Sequence, residues 1–141
     1  MKILAIDPGD TSGIISFCTE KGILLRINLE FAELMIFLSL DRTFEKIVCE
    51  DFLLYPWMAK EQAFSTFQAV QIIGILKFID HCRGLGGVTL QPASARNMVT
   101  EVMMQKTLGD FFPADFDRWN KHQKDAMKHL VIFLAKLRSE K

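Results

Sequence analysis

Residues 1–13 read MKILAIDPGDTSG. Six mostly apolar residues run into Asp7, and Pro8 and Gly9 turn the chain at once. A short apolar run bounded by such a turn predicts a β-strand over 2–7. Its last residue is a carboxylate, delivered at the tip of an otherwise buried element. Gly13 to Thr19 reads as a second strand. After the Lys21-Gly22 turn, Ile23 to Leu29 reads as a third. Three short strands joined by tight turns predict an antiparallel meander.

Beyond the meander the pattern changes. Phe31, Leu34, Met35 and Leu38 recur at helical spacing and predict a helix over about 30–40. Lys46 to Asp51 reads as a fourth strand that also ends in acid, Cys49-Glu50-Asp51. The aromatic stretch FLLYPWMAK follows as a loop, then a long helix over about 60–82, stopped by the glycines of RGLGG. Its Phe64, Phe67, Val70, Gln71 and Gly74 suit either a core or a dimer seam. Val88 to Leu90 reads as a fifth strand, and Pro92 opens a short helix, PASARNMV. Residues 104–116, with Gly109 and Pro113, read as irregular. The last helix is expected from near Asn120 to about Lys136, with Asn120 and Gln123 as a capping box. The order is βββαβαβα, which indicates one mixed α/β domain over 1–141. Its expected sheet has five strands, the first three antiparallel and the rest parallel, flanked by helices.

Composition narrows the class. Half of the 141 residues are hydrophobic, enough for a real core and for one ordinary domain. Net charge is zero, but residues 1–51 carry 5 Lys/Arg against 9 Asp/Glu, and residues 117–141 carry 7 against 3. Folding can bring this acidic front and basic tail into one surface, with carboxylates beside a basic rim. Cys18, Cys49 and Cys82 form no CxxC pair and read as buried free thiols of a reducing cytoplasm. Asp7 interrupts the only N-terminal apolar run, so no signal peptide is expected. The most apolar stretch, Phe31 to Leu40, is half a membrane span. The expected location is the cytoplasm.

The final helix carries the chemistry. At 100° per residue, His122 and His129 fall within about 60° of Asp125. Ala126, Leu130, Phe133, Leu134 and Leu137 fall on one side of that stripe, and Lys121, Lys124 and Lys128 on the other. An acid and two histidines thus lie between a buried face and a basic face. Magnesium takes hard oxygen ligands and keeps several waters, so a few carboxylates suffice. Two such ions about 4 Å apart can activate a water and stabilise the leaving oxygen of a phosphodiester. Asp7 and a strand-end acid of the fourth strand, with Asp125 from the helix, would provide that set. Alternation puts Glu50 and Asp51 on opposite faces, and either could be the one. His122 reads as ligand or exposed polar residue, and His129 as structural. The lysine stripe suits a solvated face or a phosphate track, and Tyr55 and Trp57 suit local packing or base stacking.

Three segments in order resemble the RuvC-type Holliday-junction resolvases of the RNase H-like/retroviral-integrase superfamily. AIDPGDTSGI resembles the first motif. VCEDF resembles the second, a strand ending in a catalytic Glu. HQKDAMKHL resembles the third, an acid or His three residues before an Asp-Ala. The DA-x-x-H ending resembles the phage-encoded branch, and the glycine-punctuated basic segment common in bacterial members is reduced here to Lys106.

The resemblance implies a magnesium-dependent endonuclease with two ions per site, manganese substituting. It would nick two like-polarity strands of a four-way junction symmetrically, as a homodimer in the host cytoplasm. It makes Asp7, Glu50, His122 and Asp125 the catalytic and metal-binding set and favours Glu50 over Asp51. It places DNA contacts on Tyr55, Trp57, Lys60, Arg96, Lys106, Lys121, Lys124 and Lys128. Zero net charge implies modest DNA affinity with a shallow salt dependence. The alternatives are an RNase H-like nuclease on RNA or an RNA–DNA hybrid, a silent nucleic-acid-binding module on the same fold, and a nucleotide-binding hairpin of the sugar-kinase and actin type. That last class needs two facing domains.

Overall fold

In the computed structural model, residues 1–53 and 67–140 are described. Five strands form one sheet: β1 (Lys2–Asp7), β2 (Thr11–Cys18), β3 (Gly22–Glu30), β4 (Lys46–Asp51) and β5 (Thr89–Pro92). Their order is β3-β2-β1-β4-β5. β1 to β3 pair antiparallel, and β1, β4 and β5 run parallel. Helices α1 (Phe31–Leu40) and α2 (Gln68–Arg83) cover one face, and α3 (Glu101–Leu108) and α4 (Lys121–Ser139) the other. β1 lies at the centre, and burial of both its faces explains the uninterrupted apolar run.

Side-chain parity sorts the core. Ile3, Ala5, Ile15, Phe17 and Val48 pack under α4, against Ala126, Met127, Leu130 and Leu134. Leu4, Ile6, Ile14, Ile47 and Cys49 pack under the other pair, against Leu34, Leu38, Ile72 and Leu76. Asp7 shares the parity of Ile3 and Ala5, and Glu50 that of Val48, so both belong to the α4 face. Asp51 shares the parity of Cys49.

Several element boundaries differ from the sequence reading. The expectation of irregular chain over 104–116 fails for its first part, because α3 continues to Leu108. The Thr100 side chain caps α3 by accepting from the Met103 amide, and Gly109, at φ +57°, ends it. Exposed Val102 and Met103 flank buried Met104 and blur the amphipathic pattern. The long helix is described from Gln68, and its Val70, Gln71 and Gly74 face outward. Gly84, at φ +61°, stops it. Half of the capping box on α4 forms: Asn120 Oδ1 accepts from the Gln123 amide, while Gln123 Oε1 accepts from Arg26. The cysteines are free, but only Cys49 is buried, and Cys82 is exposed. No described helix is long and apolar enough to cross a membrane.

Candidate active site

The site forms where the C-terminal ends of β1, β4 and β5 meet the first turns of α4. The register pairs Ile6 with Cys49 and Glu50 with Gln91. Asp7, the last residue of β1, and Glu50 and Gln91, the last but one of β4 and β5, therefore lie side by side on the face that α4 covers. Gly13 sits opposite Asp7 across the β1–β2 ladder. A Cβ there would lie 2.2 Å from the His122 carbonyl oxygen and 2.8 Å from the Gln123 nitrogen. The glycine admits the backbone of α4 against β2, and so brings His122 and Asp125 to the strand ends. A second clamp holds the helix start. Arg26 stacks 4.4 Å from the Trp119 ring centre and donates to Gln123 and Asp115, while Trp119 Nε1 donates to Asp115.

Asp7, Glu50 and Asp125 converge on one atom. Arg96 Nη1 lies 2.5 Å from Glu50 Oε2, 3.4 Å from Asp125 Oδ2 and 3.8 Å from Asp7 Oδ1. Each carboxylate has a second partner. His122 Nδ1 is 2.9 Å from Asp7 Oδ2, Lys128 Nζ is 3.4 Å from Asp125 Oδ1, and His129 Nε2 is 2.9 Å from Glu50 Oε2. Asp7 and Asp125 are each only 5 % exposed. Burial pushes the Asp7 carboxyl above its ordinary range; the charges of Glu50 and Asp125 push the same way, and the bond with His122 opposes them. Burial also pushes the Cys49 thiol up, which leaves it inert.

The donor set has the chemistry of a hard divalent-cation site, with two buried carboxylates and one partly buried converging on one positive charge. The present spacing belongs to the guanidinium. Among the described residues, no group of three or more His, Cys, Asp or Glu side chains stands where it could close directly on a metal ion. A cation at the focus needs Arg96 to withdraw and the carboxyl oxygens to close in.

Arg96, Lys121, Lys124 and Lys128 line a cleft of about 450 Å³ beside Asp125, together with Asn97 and Trp119. Lys124 also donates to the Asp117 carbonyl. Lys106, exposed on α3, does not line this cleft. Tyr55, Trp57 and Lys60 lie outside the described residues. Sequence reading assigned His129 a structural place and passed over Gln91, yet both reach Glu50, Gln91 through His129. The one available signal for Gln91 was an amide two residues from Thr89 in a short strand, which says nothing without the register.

A sheet in which three antiparallel strands are extended by two parallel ones, with helices on both faces, is the RuvC/RNase H-like fold. Among solved structures the chain is similar to T. thermophilus RuvC in complex with a Holliday junction substrate. The two share 15 % identity at a TM-score of 0.56, over 97 % of this chain and 96 % of that one. No protein-family model matches the chain, and no curated protein matches it by sequence.

Proposed function

We propose that this chain is a divalent-metal-dependent endonuclease that cuts branched DNA, four-way junctions foremost. One observation carries the reading: three carboxylates, buried Asp7 and Asp125 and partly buried Glu50, from β1, α4 and β4 of a RuvC-like fold, focus on a single cation position. The neighbour of similar fold was solved with a Holliday junction substrate, which favours DNA over RNA as the polymer.

Asp7, Glu50 and Asp125 would hold magnesium or manganese, which supplies Lewis acidity for phosphodiester hydrolysis. The other roles belong to the chain. His122 faces an ionised Asp7 through Nδ1. An ionised carboxylate only accepts, so Nδ1 carries a proton, and in the neutral ring Nε2 then keeps its lone pair. The half-exposed ring can then take a proton from a solvent water beside Asp7, which favours His122 as general base over metal ligand. Arg96, once displaced from the carboxylates, can reach a phosphate oxygen from the same cleft. Lys121 and Lys128 line the path that the flanking backbone would follow.

An exposed stripe on α2 supports a homodimer, the arrangement a symmetric double nick would need. Val70, Gly74 and Phe78 recur every four residues; Val70 and Phe78 are exposed, and a Cβ at Gly74 would meet nothing within 4 Å.

The test is incubation of a synthetic four-way junction, a linear duplex, an RNA–DNA hybrid and single-stranded RNA with the chain and magnesium, beside Asp7→Asn. Junction nicking at symmetric positions, lost in the variant and in EDTA, is expected. Equal cleavage by variant and wild type, or cleavage confined to the hybrid, would overturn the reading.

A further inference from the structure

Outside the carboxylate focus, one buried polar pair is not used by the proposed chemistry. His129 is fully buried, and Gln91 is 2 % exposed. The parallel register sets Gln91 directly beside Glu50, both toward α4. His129 reaches down from α4 and spans the two, with Nδ1 2.8 Å from Gln91 Oε1 and Nε2 2.9 Å from Glu50 Oε2. The Gln91 amide nitrogen is buried without a hydrogen-bond partner among the described residues.

The proton on this bridge follows from donor and acceptor chemistry. If the Gln91 oxygen faces the ring, Nδ1–H donates to it. Nε2 then meets a carboxylate oxygen, which is attractive only if Nε2 also carries a hydrogen. If the Gln91 amide is turned, its NH₂ donates to Nδ1, its oxygen takes the orphaned position, and the neutral ring carries its hydrogen on Nε2. Both arrangements place an N–H on Nε2, aimed at Glu50 Oε2. The same oxygen accepts from Arg96. The Nε2–H bond therefore holds the oxygen that faces the cation position.

We infer that His129 is a positioning residue, held by Gln91, that fixes the Glu50 carboxylate through an Nε2–H bond and so holds it at the shared cation position. The inference rests on the metal-dependent reading above. A hydrogen bond from a buried ring orients a ligating carboxylate and raises metal affinity without touching the ion; losing such a partner typically costs about 10- to 100-fold in affinity. His122, half-exposed and on Asp7, does not share this role.

The experiment is calorimetric titration of the full chain with Mn²⁺, without DNA, for wild type, His129→Leu, His129→Gln and Gln91→Leu, with metal-free melting alongside. His129→Leu should bind Mn²⁺ about 10- to 100-fold more weakly. His129→Gln keeps an N–H near the Nε2 position and should recover most of that loss, and Gln91→Leu should lose several-fold. ¹⁵N spectra of the wild-type ring at neutral pH should show a proton on Nε2. Equal affinity in His129→Leu and wild type, a metal-free melting loss with unchanged affinity, or a bare Nε2 overturns the proposal alone. A wild-type chain that takes up no Mn²⁺ overturns the metal-dependent reading and the proposal with it. If His129→Leu does not fold, Gln91→Leu and the ring spectra decide.

Discussion

Replacing Arg96 with Met removes the one charge that three carboxylates share and keeps most of the side chain's length. The Nη1 contacts of 2.5, 3.4 and 3.8 Å each correspond to about 4–7 kcal/mol of Coulomb attraction at an effective dielectric of about 20. Desolvating Arg96 and ordering its side chain cancel most of that sum. Breaking a buried charge network by removing one partner costs about 3–5 kcal/mol net. For a chain of this length, that lowers the melting temperature by roughly 12–20 °C in EDTA at pH 7.5.

The deficit should shrink on acidification. The Asp7 carboxyl is raised by burial above its unfolded value even with Arg96 present, and loses a neighbouring positive charge in the variant. Such groups cost stability above their folded pKa, and the cost fades as pH falls through it. A divalent cation should act as replacement: Mn²⁺ at about 100 times its dissociation constant adds about 2.7 kcal/mol. The gain should be larger in Arg96→Met than in wild type, where binding must first displace the guanidinium. Thermal melts with and without Mn²⁺ read both effects. A variant as stable as wild type in EDTA, or one with the same Mn²⁺ gain, would refute the shared-cation argument.

Three further outcomes follow from single contacts. Gly13→Ala drives a methyl into the His122 backbone and should cost about 2–3 kcal/mol or more in urea unfolding, since neither strand nor helix backbone can yield cheaply. Asp7→Asn should raise the metal-free melting temperature at pH 7.5 while abolishing nicking. The raised pKa makes ionised Asp7 a liability above its folded value, so the gain should vanish below about pH 4. Arg26→Ala removes the stack on Trp119 and the bonds to Gln123 and Asp115, and should cost about 1 kcal/mol by the same unfolding measurement, with Lys restoring little because the stack favours a planar guanidinium.

What could be read from the residues was set by local period and local turns. The strand ending on Asp7 was legible because an apolar run stops at Pro8-Gly9. The stripe of His122, Asp125 and His129 was legible because angle along a helix depends on sequence alone. Depth does not. His129 lies four residues on from Asp125, about 6 Å further along α4, which takes it from the mouth of the cleft to full burial under the sheet. The choice between Glu50 and Asp51 needed to know which face of β4 the last helix covers, a fact of topology. Arg96 was visible as a basic residue after Pro92. Its place at the carboxylate focus depends on the 3₁₀ turn over Ala93–Met98, whose course no period announces. Gln91 needed the β4–β5 register, which pairs Glu50 with a residue far along the chain.

The carboxylates also differ in how each is held once Arg96 departs. Asp7 keeps His122, a half-exposed ring on the first turn of α4, and Asp125 keeps Lys128 at 3.4 Å on a side chain that still meets solvent. Glu50 keeps His129, which is fully buried and braced by Gln91. Partners that reach water can be drawn away by a polyanion; a buried ring between two strands cannot. On the proposed reading Glu50 would thus be the fixed point of the site, and the Asp7 and Asp125 oxygens would adjust. Arg96 bonds most closely to Glu50, so on the proposed metal-dependent reading its departure would free that carboxylate for a cation while His129 keeps its orientation.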